Sequence, residues 1–537
     1  MFSIDQNSHS LWDALPKVQA LAGKGIAVRH FVEDVDTAFT AMGAGVGGKL
    51  SLARERFYRS GGADWGAALF YTEFFGRQAV DIRQWEIYTG LATAALAKKL
   101  DVSVAALFDE FSPGDNWQLI GPSYVQDYDH HRVIADLSVA ETAEFLRQIL
   151  LIAQQDMLKA FPASASQQRV REFFTQESAR VDALIAKHAG GPLVNVYQDW
   201  MGQYAPTVQV GLASTLFALG DDPLLRLFLG DYGRLAALYN EALRESHVGL
   251  NSLDVQIGEL PFFAVRPFQG HCVRVGMYCR DGRLIVGEDE FRIGESLLDD
   301  LARAGVTCIC GKAVVLVIQA RLGAGRSGLA LPYRGSIYLG ASHRFVVKLQ
   351  QNALLGEPLH PIVRVRLRFL DRLSEVDSVI RLPAYLADAA GKSEMPAREF
   401  SQIWHELAHS AQQELQAFRQ AGGMEKWQQS ALPDLWRKDQ QLSLRRREMA
   451  KQDPKSAAIR ELWQENRAVQ VEMLWAAIRH IARQEQVANL DYWDSRGAIY
   501  PWALALSGED FYRSVLQQAE VYEEGPEAEP ATLERLP

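Results

Sequence analysis

Cysteine is nearly absent: the 537 residues hold four, Cys272, Cys279, Cys308 and Cys310, all within one short stretch. So few thiols, so closely placed, cannot staple a chain of this length, and a disulfide framework is excluded. Long apolar runs are missing as well. The most apolar segment, residues 313–318, falls far short of the roughly 20 residues that cross a bilayer. The opening Met1-Phe2-Ser3-Ile4-Asp5-Gln6 has no basic stretch leading into an apolar one, so no secretory signal is expected. Together these absences predict a cytoplasmic protein in reducing surroundings. Positive charge is also short. With Lys+Arg 56 against Asp+Glu 66 the net charge is −10, whereas coating a phosphate backbone requires a cationic surface. A nucleic-acid partner is therefore not expected, and no repeat at a solenoid period is present.

What is present is enough apolar material for a large core, 48% hydrophobic against 23% charged residues, arranged in three textures. Residues 1–190 read mainly as helix. The 141–161 stretch places Phe145, Ile149, Ile152 and Leu158 near one face, and 170–188 repeats the pattern after the break Pro162-Ala163-Ser164-Ala165-Ser166. Residues 191–390 turn to short β-rich runs, 262–265, 272–278, 283–286, 306–310 and 362–369, interleaved with helices at 224–246 and 296–304. This predicts a central α/β body. Residues 391–522 are helical again, at 397–420, 437–452 and 456–486, broken at Gly422-Gly423 and Asp453-Pro454, as in an extended helical arm. The acidic, proline-containing tail 523–537 is expected to be disordered. The fold class is thus mixed and helix-rich α/β.

The sharpest local signal is Trp404-His405-Glu406-Leu407-Ala408-His409. One helical turn separates His405 from His409, so both imidazoles share a face and could hold Zn²⁺ while Glu406 acts as the catalytic base on a metal-bound water. The third ligand would come from Glu465 or Glu472 if helices 397–420 and 456–486 pack antiparallel. The stretch resembles the active-site helix of zinc metallopeptidases. The alternative is a polar stripe of His405, His409, Gln412 and Gln416 opposite Ile403, Leu407, Ala411, Leu415 and Phe418, as on any half-buried helix.

A second signal is Arg321-Leu322-Gly323-Ala324-Gly325-Arg326-Ser327-Gly328, followed by Gly335 to Arg344. Glycines let backbone amides approach an anion. Gly325, Arg326, Gly340, His343 and Arg344 are the expected binding residues for a small polar or anionic metabolite. Two glycine-rich connections between strands are the plainer alternative.

Residues 224–349 also resemble the middle of the bacillithiol-pathway cysteine-adding enzymes and their bacterial relatives. The resemblance rests on Leu238-Tyr239-Asn240-Glu241-Ala242-Leu243, Glu259-Leu260-Pro261-Phe262-Phe263, Lys312-Ala313, Ala320-Arg321-Leu322, and Leu331-Pro332 leading into Tyr338-Leu339-Gly340. It implies a Rossmann-like body with a C-terminal coiled coil and a ligase-like small-molecule reaction; the cofactor stays open, with a nucleotide as the candidate. The family's early glutamine- and glycine-containing motif has no counterpart here, and its later double glycine reads Leu339-Gly340-Ala341-Ser342. Such departures also fit a non-catalytic scaffold whose arm binds a partner protein or a second copy.

Four weaker motifs complete the reading. Gly43-Ala44-Gly45-Val46-Gly47-Gly48-Lys49 nearly spells a P-loop, but Leu50 stands where Ser or Thr would hold Mg²⁺. Residues 91–111 read as a helical hairpin rather than a DNA-binding one, and Asp127-Tyr128-Asp129-His130-His131 as a solvated loop. The cysteines are expected to be small buried apolar residues, with Cys308 and Cys310 on one face of a strand.

Overall fold

The computed structural model describes residues 1–4, 11–36, 78–102, 117–120, 131–246, 250–334, 338–357, 359–420, 422–493, 499–524 and 533–535. Helix and sheet are mixed, and the organising element is a sheet with five parallel strands. In chain order these are Phe2–Ile4, Arg29–Val32, Gln209–Leu212, Leu329–Pro332 and Ile362–Arg366. Across the sheet they run third, second, first, fourth, fifth, so the order reverses between the first and fourth strands. Glu520–Glu524 adds antiparallel beside the fifth strand, and Leu533–Arg535 pairs with it at the edge.

Strands buried on both faces carry apolar residues in both directions, and alternation sorts them here. Ile4, Phe31, Leu329, Leu331 and Ile362 enter one core cluster, with Phe263, Val265, Cys308 and Cys310 of a second sheet. Val32, Ala330, Val363 and Val365 enter another, packed by helices that include Leu11–Gly23, Ser164–Lys187 and Leu193–Tyr204. The second sheet is antiparallel: Asp289–Arg292, Arg283–Val286, His271–Arg280, Glu259–Phe268 and Cys308–Gly311, with His131–Arg132 against His271–Arg280. Two of its turns are two-residue hairpins, Gln269-Gly270 (φ 49° and 82°) and Asp281-Gly282 (φ 50° and 71°). Positive φ at both central positions matches the twist of the flanking strands.

The architecture corrects the three-part division. Residues 1–190 are not a separate helical region, because Phe2–Ile4 and Arg29–Val32 lie in the middle of the sheet. The body is not confined to 191–390 either. Its helical face is completed by Ile499–Ser507 and Glu509–Gln517, which pack on Ser164–Lys187 and Leu11–Gly23. Nor is the tail from Glu523 disordered throughout: Glu523 and Glu524 are in strand, and Glu524 is only 1% exposed. Acidic composition suggested disorder, but a buried cation overrides it. Arg364 Nε donates to Glu524 Oε2 at 2.6 Å, its Nη1 reaches the Pro332 carbonyl at 3.1 Å, and His343 Nε2 lies 3.4 Å from Glu524 Oε1.

The helices of the last third lie where the sequence pattern put them: Ala397–Phe418, Pro433–Gln452 and Ala457–Ala488, with a short Gly423–Ala431 between the first two. Pro433–Gln452 and Ala457–Ala488 form an antiparallel hairpin. Its register is set by Asn466 Nδ2 to Asp439 Oδ1 (2.7 Å), Gln470 to Asp439 (2.8 Å) and Ser443 to Asn466 (3.2 Å). A small seam of Leu442, Val469 and Met473 closes it.

Removing one partner of a fully buried ion pair leaves an uncompensated charge, at a cost of about 3–5 kcal/mol. Arg364→Ala and Glu524→Ala are each expected to lower stability by that order, read as the urea midpoint by tryptophan fluorescence. An unchanged midpoint in both would contradict the role given to the last strand.

Candidate functional site

In an open sheet of this order, ligands sit outside the carboxyl ends of the strands, near the reversal of strand order. There the second strand runs directly into Glu33-Asp34-Val35-Asp36, and every carboxylate is held. Glu33 Oε1 accepts the amides of Val35 (3.0 Å) and Asp36 (3.1 Å). Asp34 accepts the Ser214 amide (2.7 Å) and hydroxyl (2.5 Å) just beyond the third strand. Asp36 pairs with Arg274, whose guanidinium lies 4.2 Å from the Phe263 ring.

A second polar group adjoins the first. Arg132 bridges Asp136 (2.5 Å) and Glu141 (2.8 Å), while Asp136 also meets His271 Nδ1 at 2.9 Å and accepts the Cys272 amide at 2.6 Å. Backbone bonds join the two groups: Ile134 N donates to the Asp36 carbonyl (3.1 Å) and Ala135 N to the Asp34 carbonyl (2.9 Å).

Burial raises the Glu33 carboxyl well above its ordinary range, and the charges of Asp36 and Asp34 push the same way, against the Val35 amide and Arg274. Burial also raises Asp34, opposed by its bonds from Ser214. The cluster thus juxtaposes a buried carboxyl whose pKa is raised with an Asp36 side chain paired to arginine, an arrangement suited to acid–base chemistry. The neighbouring thiols are poor nucleophiles. Cys272 is pushed up to about 11 by burial and then by Asp136 and Asp34, and burial raises Cys308 and Cys310 too. Cys308 and Cys310 are fully buried on one face, as the strand pattern implied.

The sequence reading missed this cluster. Its signal was three acids within four residues after a short apolar run, but Arg29–Val32 is too brief to announce a strand.

The residues expected to bind an anion are divided. Gly325 and Arg326 line a cleft of about 380 Å³ with Arg29, Thr215, Asp221 and Glu357. That cleft lies at the amino ends of the strands, because the glycine-rich loop enters the fourth strand instead of leaving it. Arg326 Nη1 donates to the Leu216 carbonyl at 2.5 Å and its guanidinium stands 5.6 Å from the Phe217 ring. Gly323 sits at φ +97°, a backbone conformation that L side chains rarely adopt, with the Glu357 carboxylate beside it. Gly340, His343 and Arg344 belong instead to the helix Leu339–Gln351, with His343 buried beside Glu524 and Arg344 exposed. The expected five-residue site is therefore corrected to two separate places.

The chain matches no protein-family model and no curated protein.

The HExxH residues are exposed along their helix. His405 Nε2 bonds Asp371 Oδ1 at 2.8 Å and its ring stacks on Trp404, and His409 Nε2 bonds Gln413 Nε2 at 2.8 Å. Helices 397–418 and 457–488 do pair antiparallel, with Gln412 against Ala488 and Glu414 against His480. That register runs the wrong way for the motif. Glu465 lies 15 residues before His480, about 22 Å along the helix at 1.5 Å per residue, whereas His405 lies beyond the opposite end. Glu465 pairs with Lys438 at 3.1 Å and Glu472 is exposed on the same helix. The structure therefore does not assemble His405, His409 and Glu465 into one site or bring Glu406 to a third ligand. Among the described residues no three His, Cys, Asp or Glu converge as a metal site. Gly43 to Lys49, residues 103–111 and Asp127 to His130 lie outside the described residues.

Two other buried acids stand apart from the cluster. Glu177, pushed to about 7 by burial, accepts from Trp200 Nε1 at 2.5 Å inside the helical core. Glu485 accepts the Tyr88 hydroxyl beside a cleft of about 540 Å³, where Arg419 Nη2 donates to that hydroxyl at 3.0 Å.

Two outcomes follow from the geometry. A folded-state pKa raised above the unfolded one means that the native state holds the extra proton; this stabilisation is complete below about pH 4.5 and is lost as pH rises toward the folded value. Glu33→Gln keeps the acceptor oxygen without the charge, so its melting temperature should gain on wild type progressively above pH 4.5; a constant difference across pH 4.5–9 would refute this. Chelator treatment and His405→Ala should each leave the melting temperature nearly unchanged, since an exposed ion pair contributes about 0–1 kcal/mol. Stoichiometric zinc lost in His405→Ala would reverse that conclusion.

Proposed function

We propose that the protein is a cytoplasmic small-molecule biosynthetic enzyme, similar to the cysteine-adding ligases, that joins an amino-acid-like group to a polar acceptor. The observation that carries the reading is the buried Glu33, held by the Val35 and Asp36 amides, beside the Asp36–Arg274 pair at the carboxyl edge of the parallel sheet. A condensation needs a proton for the leaving oxygen, and a buried carboxyl of raised pKa is suited to supply it. The strand order supports a Rossmann-like body. The antiparallel hairpin of Pro433–Gln452 and Ala457–Ala488 supports the coiled-coil arm that the resemblance implies. A nucleotide is the cofactor of this reading, and the cleft of Gly325 and Arg326, at the opposite edge of the sheet, takes no part in it.

Isothermal titration with adenine and uridine nucleotides, amino acids and small hydroxy acids tests it. At least one compound should bind the wild type and His405→Ala alike and lose about tenfold or more in Asp34→Asn. That factor corresponds to one charge-assisted hydrogen bond, about 1.5–3 kcal/mol. Absence of heat with every class, or full binding in Asp34→Asn, would remove the carboxyl-edge site from consideration.

A further inference from the structure

The arm ends in a feature that the enzymatic reading does not use. Between residues 445 and 460 stand six cations, Arg445, Arg446, Arg447, Lys451, Lys455 and Arg460, against two carboxylates, Glu448 and Asp453. This is a local excess of four positive charges on a chain whose net charge is −10. All but Arg446 are exposed. None of the six joins an ion pair among the described residues, whereas cations nearer the body do: Arg437 with Asp434, Lys438 with Glu465 and Arg467 with Asp101. The carrying helix, Pro433–Gln452, packs chiefly on Gly423–Ala431 and Ala457–Ala488, so its end stands away from the sheet. Like charges crowded at one tip raise the free energy of the isolated protein, which a polyanion would relieve.

Apolar chemistry accompanies the charge. Trp463 is 45% exposed and Leu444 57% exposed. At i, i+3 and i+7 spacing, Leu444, Arg447 and Lys451 form one helical stripe, and Arg460, Trp463 and Arg467 form another on the facing helix. Arg467 lies 5.5 Å from the Trp463 ring. Leu435, Trp436, Leu442, Leu462, Val469 and Met473 are engaged in the hairpin seam, so no continuous apolar face is left to enter a bilayer. An indole flanked by cations is instead a stacking platform for a base, with the cations placed along the adjoining phosphates.

We propose that the tip of the helical hairpin binds single-stranded nucleic acid, with the backbone on Arg447, Lys451 and Arg460 and a base against Trp463. Net charge alone predicted no such partner, because it averages a basic tip into an acidic body.

The test is fluorescence anisotropy on the full chain with labelled single-stranded RNA and DNA of mixed sequence, the corresponding duplexes, and phosphatidylserine vesicles. Single strands should bind, and affinity should fall by about two orders of magnitude between about 50 and 200 mM salt. The triple variant Arg447→Glu, Lys451→Glu, Arg460→Glu should abolish binding with circular dichroism and melting temperature preserved, the altered positions being exposed. Trp463→Ala should weaken single strands about tenfold and duplexes little. No binding at 50 mM salt, binding unaffected by the triple variant, equal loss for single strands and duplexes in Trp463→Ala, or tighter binding to vesicles would each overturn the proposal. Asp34→Asn serves as the control that separates this surface from the carboxyl-edge site and should bind nucleic acid as wild type does.

Discussion

Phe2–Ile4 is three residues long, yet the parallel sheet turns on it. It pairs with Arg29–Val32 on one side and with Leu329–Pro332 on the other, so the reversal of strand order exists only because this segment is in place. The short strand cannot be stable alone, since three residues offer little ladder hydrogen bonding against the backbone entropy of ordering them. Its hold comes from burial on both faces: Ile4 and its neighbour Phe31 pack toward the antiparallel sheet, while Ser3 Oγ meets His30 Nδ1 at 3.1 Å on the other side. Everything at the carboxyl edge, including the turn that presents Glu33 and Asp34, inherits its position from this pairing.

That dependence explains which parts of the fold were legible in the sequence. Helices with their own signals were read closely. Ser138 and Glu141 form a capping box at the start of Val139–Ala160, and the apolar period of Ala397–Phe418 and Ala457–Ala488 survives into the structure. The hairpins were readable too, because Asp281-Gly282 separates two apolar runs. Phe2–Ile4 and Arg29–Val32 were not, because strands buried on both faces show no alternation and these are too short to stand out. They pair with each other, but their outer partners, Leu329–Pro332 and Gln209–Leu212, lie far along the chain, which no local pattern encodes. The tail was misread for the complementary reason: Glu520–Glu524 looks solvated until Arg364 is placed beside it.

The candidate site shows the same division. Gly325 and Arg326 were found by composition and do line a cleft, but their edge of the sheet could not be known before the strand direction. The HExxH motif shows how far spacing alone carries. It set both histidines on one face correctly, and the partner helix does run antiparallel, but the register fixed by Gln412 and Glu414 moves Glu465 out of reach. Carboxylates with displaced protonation appeared only when burial did, at Glu33 and Asp34.

The placement of Leu329–Pro332 also bears on how the protein is made. The first strand leaves the ribosome long before its second neighbour exists, since more than 300 residues separate Phe2 from Leu329. At about 5–20 residues per second, that partner emerges roughly 15–60 s later. During this interval the N-terminal segment has one open edge, and its closure is the most non-local contact in the sheet core. The strand Glu520–Glu524 joins the fifth strand later still, since it follows Arg366 by more than 150 residues. The carboxyl-edge cluster draws its side chains only from residues 33–274, so all of its members have emerged before the fourth strand exists to close the edge beside them.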